Sequence, residues 1–299
     1  MSEVPSRRLT LIGANGMLAS MIKDIAPKNW ELFLFDLPEF DITDSEQVTR
    51  TLVRVSPQII INCAAYTNVD GCESQESLAA AVNGGGPGNL ANVAFELNAT
   101  LVHISTDYIF DGSKGAPYVE HDVPAPRSAY GRSKLAGEQA ILASGIKKYF
   151  ILRTSWLYGP KGKNFVETII RLSREREELR VVADQVGTPT YTGDLASAIF
   201  NLLELETNQP ASVPYGLYHF SNEGVCSWHE FAQEIVNQFK MLGETLKVKD
   251  VRAIRTEDYP LPAPRPAYSV FSKKKYLCAT GAKIPHWRES LSLYLKNRQ

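Results

Sequence analysis

Short, largely apolar runs alternate with helix-forming stretches along the first half of the chain, and this alternation restricts the possible folds more than any other feature. The runs occupy residues 9–12, 32–35, 59–61, 100–104 and 149–152. Strands that are buried on both faces read as apolar runs, and strands that alternate with helices pair in parallel. The sequence therefore predicts an α/β fold built on a doubly wound parallel sheet.

The second half of the chain is less regular. Polar residues three positions before a Glu predict helix starts at 43–46, 164–167 and 227–230. The proline-rich stretch 256–268 predicts an extended segment that crosses a surface or cleft. We therefore predict two lobes. The larger comprises residues 1–158 with about 190–220, and the smaller comprises about 159–189 with 221–299.

The charge balance and the cysteine pattern argue against several classes of protein. With 32 Lys and Arg against 33 Asp and Glu, the net charge is -1, which disfavours a nucleic-acid partner. Cys63, Cys72, Cys226 and Cys278 form no C-x-x-C pair and the five histidines show no ligand spacing, so neither disulfides nor a metal site are expected. The first eight residues hold no apolar signal stretch and no run is as long as a membrane span, so we expect a soluble cytoplasmic protein.

A glycine-containing turn, Gly13-x-x-Gly16-x-x-Ala19, follows the first predicted strand. Backbone N–H groups in such a turn bind a pyrophosphate, although the pattern alone fits an ordinary turn equally well. Asp36 follows the second predicted strand, where a carboxylate accepts hydrogen bonds from ribose hydroxyls. The two features together predict a dinucleotide site. Because a carboxylate repels a 2′-phosphate, they also predict a preference for NADH over NADPH.

Tyr130 and Lys134 are four residues apart, which places them on one face of a predicted helix. The ammonium is expected to lower the pKa of the phenol and make Tyr130 a usable general acid or base. The same spacing occurs by chance on many solvated helices. Thr106 follows the strand that ends near Ile104, where a hydroxyl can bond a substrate oxygen or simply cap a turn. The three residues together predict an active site.

Eight features, in order along the chain, carry a family resemblance. They are GANGMLA from Gly13, Asp36 at a strand end, NCAAYTNVD from Asn62, STDYIFDG from Ser105, YGRSK from Tyr130, RTSWLYG from Arg153, DQVGTPTY from Asp184 and RPAYSVFSKKKY from Arg265. Together they resemble the extended short-chain dehydrogenase/reductases and, within them, the dTDP-4-dehydrorhamnose reductases. The resemblance implies a Rossmann doubly wound parallel sheet with a smaller α/β substrate-binding lobe.

The resemblance also implies a reaction, the NAD(P)H-dependent reduction of the C4 ketone of dTDP-4-dehydro-L-rhamnose. In that reaction Tyr130 would protonate the C4 oxygen, Lys134 would hold the nicotinamide ribose and tune Tyr130, and Thr106 would orient the ketone. The implied cofactor-binding residues are Gly13, Asn15, Gly16, Met17, Leu18, Asp36, Asp41, Ile42, Ala64, Ala65, Tyr66, Asn83, Tyr130 and Lys134. The implied sugar-nucleotide residues are Thr106, Asp107, Trp156, Gln185 and Arg265.

Several of these assignments have plain alternatives. Trp156 fits a core aromatic equally well, and Arg265 fits an ordinary surface residue. The glycines from Gly84 to Gly88 fall where the family has a helix and predict a break or kink. Ser20-Met21 offers no ligand for the metal that links subunits in some family members, so the chain is expected to be a monomer or a homodimer without that bridge.

Two other functions compete with the reductase. A 4,6-dehydratase or epimerase uses the same scaffold, but dehydratases carry Glu where this chain has Tyr108, and without it elimination lacks its base. Another NDP-4-keto-sugar reductase differs only in a few pocket contacts. The second alternative is a non-catalytic regulatory subunit resembling the methionine adenosyltransferase beta subunit, which binds a dinucleotide on this fold.

Overall fold

The central sheet takes its strands from most of the chain. The structure, a computed structural model, describes residues 7–298, so residues 1–6 and 299 of the predicted lobes lie outside the described residues. The strands are β1 (Arg8–Ile12), β2 (Glu31–Phe35), β3 (Ile59–Asn62), β4 (Thr100–Thr106), β5 (Tyr149–Thr154), β6 (Leu157–Tyr158), β7 (Glu178–Val182), β8 (Val186–Gly187), β9 (Thr190–Tyr191), β10 (Gly216–His219), β11 (Cys226–Ser227) and β12 (Asp250–Ile254).

Eleven α-helices connect these strands within the described residues. They are α1 (Met17–Ile25), α2 (Ser45–Val55), α3 (Val69–Ser74), α4 (Glu76–Ala79), α5 (Gly86–Glu96), α6 (Ala129–Ala143), α7 (Phe165–Glu175), α8 (Thr192–Asn208), α9 (Trp228–Met241), α10 (Lys274–Thr280) and α11 (Trp287–Asn297). In the part of the chain that the structure describes, none of them is both long and apolar enough to cross a membrane.

Six strands pair in parallel in the order β2-β1-β3-β4-β5-β10. Successive strand residues point to opposite faces, so Ile59 and Ile61 of β3 enter one core while Ile60 enters the other. Helices α1 and α8 cover the first face, and α2 and α5 cover the second. The predicted Rossmann doubly wound sheet is therefore confirmed. Its order reverses at β1, which opens a crevice at the carboxyl ends of β1 and β3.

A third core, separate from the two that flank the main sheet, lies between α7, α9 and α11. Fully buried Phe231 and Trp287 pack there edge to face, with ring centroids 5.5 Å apart. The short pairs β7–β12 and β8–β11 border this core. Tyr276 of α10, in contrast, belongs to the core on the face of the main sheet that α1 and α8 cover. The predicted lobe boundaries stay a prediction.

The helix starts follow their predicted caps with one exception. Asn164 caps α7, and Ser227 and Glu230 form a reciprocal capping box at α9. At α2, however, the capping residue is Asp44, whose carboxylate accepts from the Gln47 N–H at 2.9 Å. The predicted box beginning at Thr43 is wrong because that hydroxyl donates to Asp41 instead.

The glycine-rich segment remains helical. Between α4 and α5 the chain makes a π-helical turn at Ala80–Gly85, so the predicted break is a local irregularity in a continuous helix. The small residues allow close approach to α6, because a Cβ on Gly137 would lie 2.2 Å from the Asn83 carbonyl oxygen. This close packing offsets part of the low helix propensity of glycine.

Candidate active site

The glycine turn after β1 brings two segments of backbone into contact. Gly13 has a φ of +73°, and a Cβ on it would lie 2.6 Å from the Ala64 nitrogen. Only glycine satisfies both the left-handed backbone and the close approach. The turn is held by the Gly13 and Ala14 N–H groups, which both donate to the Phe35 carbonyl. The turn, the end of β2 and the segment after β3 therefore form one backbone-lined surface.

Asp36 lies at the end of β2 beside this turn. One of its carboxylate oxygens accepts from the Asn15 N–H and the other from the Leu37 N–H, each at 2.8 Å. Asn15 itself does not line the crevice. Asp36 therefore organises the turn and leaves the remaining lone pairs of its oxygens for hydroxyl donors, as its predicted role at a ribose requires.

The crevice consists of two adjoining cavities. The first, of about 210 Å³, is called the dinucleotide half here after its predicted ligand, and its lining includes Gly13, Gly16, Asp36, Asp41, Ile42, Ala64 and Ala65. The second, of about 490 Å³, is the reaction half, and its lining includes Met17, Leu18, Thr106, Asp107, Tyr130, Lys134 and Trp156. Gly16 and residues 63–65 line both cavities, so the two halves adjoin.

Helix α6 presents Tyr130 and Lys134 to the reaction half. The hydroxyl of Ser128 caps the helix by accepting from the Gly131 N–H at 3.1 Å, which fixes the first turn. Lys134 is only 2% exposed. Its ammonium nitrogen lies 2.6 Å from the Ile104 carbonyl oxygen and 3.3 Å from His103 Nε2. The predicted common face of Tyr130 and Lys134 is therefore present in the structure.

The expected effect of Lys134 on Tyr130 is wrong for the free protein. Burial raises the pKa of Tyr130 above its ordinary value, and the nearby Asp107 carboxylate raises it further. Burial also lowers the pKa of Lys134, to about 8. The free site therefore holds a protonated phenol at neutral pH.

Thr106 is the last residue of β4 and Asp107 follows it, and both line the reaction half. Thr106 accepts from the Tyr108 N–H at 3.2 Å and donates to Asp107 Oδ1 at 3.0 Å. Asp107 is 2% exposed and its Oδ2 has no hydrogen-bond partner within residues 7–298. Burial raises the pKa of Asp107 to about 6. An unpartnered oxygen in the lining of a cavity can accept a hydroxyl from a ligand.

Trp156 lies in the lining of the reaction half and also packs, partly buried, against the core between α7, α9 and α11. Its ring stacks on Trp228 at the start of α9, with centroids 3.6 Å apart. A Cβ on Gly187 would lie 2.6 Å from the Trp156 ring. The Trp156 ring is thus held between the Trp228 ring and the backbone at Gly187.

Besides Asn15, four of the predicted residues lie outside the lining of both cavities. They are Tyr66, Asn83, Gln185 and Arg265. The Asn83 amide accepts from the Tyr66 N–H at 2.8 Å and donates to the Tyr66 carbonyl at 3.0 Å. Asn83 therefore fixes the backbone that borders the cavities, and direct contact of these residues with a ligand stays a prediction.

Gln185 contacts the proline-rich segment 256–268, and Arg265 lies within that segment. Gln185 donates to the Thr256 hydroxyl at 3.0 Å. Arg265 pairs with both oxygens of Asp70, at 2.6 and 2.8 Å, and so ties the segment to the larger lobe. Their contacts with a nucleotide stay a prediction.

The sequence analysis missed His103. It considered the histidines only as metal ligands, yet this side chain, 1% exposed on β4, contacts Lys134. Its other ring nitrogen lies 3.2 Å from the amide nitrogen of Asn62. A histidine within an apolar strand, two residues before Ser105, is the signal that was available. The sequence analysis also missed Lys163, which lines the rim of the reaction half.

Comparison with known proteins places this site in a family. Residues 7–299 match the family model described as RmlD substrate binding domain. A dTDP-4-dehydrorhamnose reductase of Aggregatibacter actinomycetemcomitans is 40% identical over 95% of this chain and 97% of its own length. The Bacillus subtilis spore coat polysaccharide biosynthesis protein SpsK is 39% identical over 97% of this chain and 98% of its own.

A solved structure resembles the whole fold. The crystal structure of dTDP-4-dehydrorhamnose reductase from Bacillus anthracis in complex with NADP has a TM-score of 0.89 and 42% identity. The match covers 97% of this chain and 99% of that one. Both cavities of the crevice therefore lie within a fold for which a dinucleotide complex is known.

Proposed function

The chain belongs to the RmlD substrate binding domain family, and we propose that it is a dTDP-4-dehydrorhamnose reductase, which reduces the C4 ketone of dTDP-4-dehydro-L-rhamnose to dTDP-L-rhamnose with NAD(P)H. One observation carries the proposal. Thr106, Tyr130 and Lys134 line one cavity that adjoins the dinucleotide half. The reductases that are about 40% identical over nearly the whole chain support the choice of substrate.

The geometry supports Tyr130 as the proton donor. The bound nicotinamide supplies the hydride, and hydride addition develops negative charge on the ketone oxygen. Two hydroxyl donors, Thr106 and Tyr130, stabilise that charge. Burial keeps the Tyr130 phenol protonated at neutral pH, which suits a donor, because an alkoxide is a stronger base than a phenolate.

The dinucleotide half fits the cofactor. The backbone at Gly13 leaves no room for a Cβ, and Asp36 keeps acceptor capacity beside the turn. The backbone N–H groups of Met17 and Leu18, the first two residues of α1, would hold the pyrophosphate. No Lys or Arg is among the residues that line this half in the described chain. We propose that NADH is preferred over NADPH for this reason, since nothing in the lining offsets the repulsion between Asp36 and a 2′-phosphate.

The sugar nucleotide is proposed to occupy the reaction half and the rim. Asp107 Oδ2 would accept a sugar hydroxyl, and Trp156 would contact an apolar face of the sugar. Lys163 at the rim offers a positive charge to the diphosphate. Gln185 and Arg265 would reach the nucleotide only after exchanging their present partners.

The test is the loss of NADH and, separately, NADPH absorbance when dTDP-4-dehydro-L-rhamnose is added to the purified protein. Tyr130→Phe should abolish the activity while dinucleotide binding, followed by fluorescence, is retained. Tyr149→Phe is the matched control, because Tyr149 lies at the start of β5 and outside both cavities.

The outcomes separate the competing functions. Turnover that requires both the substrate and Tyr130 supports the reductase and its proton donor. A kcat that is nearly unchanged in Tyr130→Phe rejects Tyr130 as the donor. Dinucleotide binding without turnover rejects this substrate and favours either another keto-sugar nucleotide or the non-catalytic subunit.

A further inference from the structure

Three buried side chains form a continuous polar contact behind the reaction half. Asn62 at the end of β3, His103 on β4 and Lys134 on α6 are each 2% exposed or less. The Asn62 amide nitrogen lies 3.2 Å from His103 Nδ1, and Lys134 Nζ lies 3.3 Å from His103 Nε2. Both nitrogens of the imidazole therefore face another nitrogen. A neutral imidazole has one donor and one acceptor, so only one arrangement of protons satisfies both contacts.

The orientation of the Asn62 amide is set by the backbone. Its oxygen accepts from the Ala64 N–H at 3.0 Å. Exchanging the oxygen and the nitrogen would set two donors against each other, so the NH₂ group must face His103. An NH₂ group only donates. Nδ1 of His103 must therefore carry the lone pair.

The tautomer of His103 follows from this orientation. Burial and the neighbouring Lys134 hold the pKa of His103 well below its ordinary value, so the ring is neutral. With the lone pair on Nδ1, the proton is on Nε2 and points at Lys134 Nζ. An ammonium has three donors and no acceptor, whereas a neutral amine has a lone pair that accepts this proton.

We propose that His103 is a positioning residue that favours the neutral amine of Lys134 in the free protein by donating its Nε2–H to the amine nitrogen. The amine then donates one N–H to the Ile104 carbonyl at 2.6 Å and directs the other toward the reaction half. Every hydrogen-bonding group of the Asn62–His103–Lys134 chain is satisfied in this arrangement. The protonated form of Lys134 leaves the two N–H groups opposed.

The other titratable groups around Lys134 do not replace His103. Glu138 lies one turn further along α6 and favours the ammonium, but it is paired with Arg153 at 2.7 and 3.0 Å. Cys63, after β3, is a neutral thiol, because burial raises its pKa to about 12. Among these groups, His103 is the one whose side chain contacts Lys134 directly.

The consequence for catalysis rests on the proposed function. After Tyr130 gives its proton to the substrate oxygen, the site must recover a proton. A lysine whose neutral form is stabilised gives up a proton more readily. His103 would therefore set the pH at which Lys134 changes between proton donor and neutral amine.

The direct test is an NMR titration of the free protein labelled with ¹³C at lysine Cε. The Lys134 signal is identified by its absence in Lys134→Arg. In the wild type it should titrate at about 8, well below the other lysines. In His103→Gln the amide oxygen can accept from the ammonium, so the pKa of Lys134 should rise by about one unit or more. His229→Gln is the control, because His229 contacts the Val251 carbonyl in the smaller lobe.

A second measurement determines the tautomer of His103 in the wild-type protein, so it does not depend on whether a variant folds. Nitrogen-15 shifts of labelled histidines should give a neutral ring with the proton on Nε2 for the His103 signal. A proton on Nδ1, an imidazolium, or a Lys134 pKa unchanged by His103→Gln would each overturn the proposal. None of these measurements uses substrate, so they are independent of whether the protein reduces dTDP-4-dehydro-L-rhamnose. If it does, His103→Gln should also move the alkaline limb of the kcat profile to higher pH.

Discussion

The two halves of the crevice are built from different chemical groups. In the dinucleotide half the surface is largely backbone, formed where the turn at Gly13 meets Ala64 and the end of β2. The reaction half, in contrast, presents polar side chains, of which Asp107 and Lys134 are buried and Tyr130 is partly buried. Backbone surfaces tolerate changes of side chain, whereas a buried polar side chain has no substitute. Substitutions in the two halves should therefore fail in different ways.

The largest effect is expected from Tyr130→Phe in the reaction half. Loss of a general acid removes about a thousandfold in kcat, while the shape of the cavity is kept. Cofactor affinity should change less than twofold, because the backbone-built half is untouched. Steady-state kinetics and NADH titration measure both quantities. A large loss of cofactor affinity together with kcat would mean that the two halves are not separable.

In the dinucleotide half, a comparably large loss of function requires a substitution that alters the backbone. Gly13→Ala adds a Cβ 2.6 Å from the Ala64 nitrogen at a φ of +73°. The strain and the displacement together should weaken NADH binding by about a hundredfold. Calorimetric titration measures this change.

Gly115→Ala is the matched control for that substitution. Gly115 also has a positive φ, +65°, but a Cβ there would meet no atom within 4 Å. It should therefore lose some stability and leave NADH affinity unchanged. Equal effects of the two substitutions on binding would show that backbone strain, and not the approach to Ala64, is what matters.

Substitution of Asp107 should show how much a buried carboxylate in the reaction half lowers the free energy of unfolding. The pKa of Asp107 is about 6 in the folded protein against an ordinary value of 3.8. The folded state therefore holds this proton more tightly, and the stability that it contributes below pH 3.8 is lost as the pH rises through 6. Asp107→Asn removes the buried charge and should raise the free energy of unfolding by about 3 kcal/mol at pH 8 relative to its effect at pH 3.

Urea unfolding at several pH values tests this prediction. Asp111→Asn is the control of opposite sign, because hydrogen bonds from Ser113 hold the pKa of Asp111 below its ordinary value. That substitution should destabilise the protein at neutral pH and have less effect in acid. If Asp107→Asn were neutral at every pH, the buried carboxylate would have a partner in solution.

The sequence predicted what local patterns encode. The apolar runs predicted the parallel sheet, Gly13 and Asp36 predicted a turn and a strand end that line one cavity, and the spacing of Tyr130 and Lys134 predicted their common helical face. Each of these signals lies within one element or within two neighbouring elements along the chain. Backbone geometry follows from such local signals.

What the sequence could not predict depends on contacts between distant residues. His103 and Lys134 are 31 positions apart, and Arg265 and Asp70 are 195 positions apart. The pKa of Tyr130 was predicted from its neighbour on the helix, but burial outweighs that neighbour. The degree of burial is a property of the whole fold and not of a motif.

The smallest effect, a change in cofactor selectivity, is expected where one charged side chain contributes to the backbone-built half. Asp36→Asn keeps an acceptor for the Asn15 or Leu37 N–H but removes the negative charge. The ratio of kcat/KM for NADH over NADPH should fall about tenfold, since hydrogen bonds to a charged group contribute about 1.5–3 kcal/mol and part of that is retained. Asp41→Asn is the matched control, because Asp41 lines the same cavity but binds the Thr43 hydroxyl and N–H at 2.8 Å. A ratio that shifts equally in both variants would assign selectivity to the net charge of the cavity. A ratio that shifts only in Asp36→Asn would assign it to the one carboxylate that the backbone turn orients.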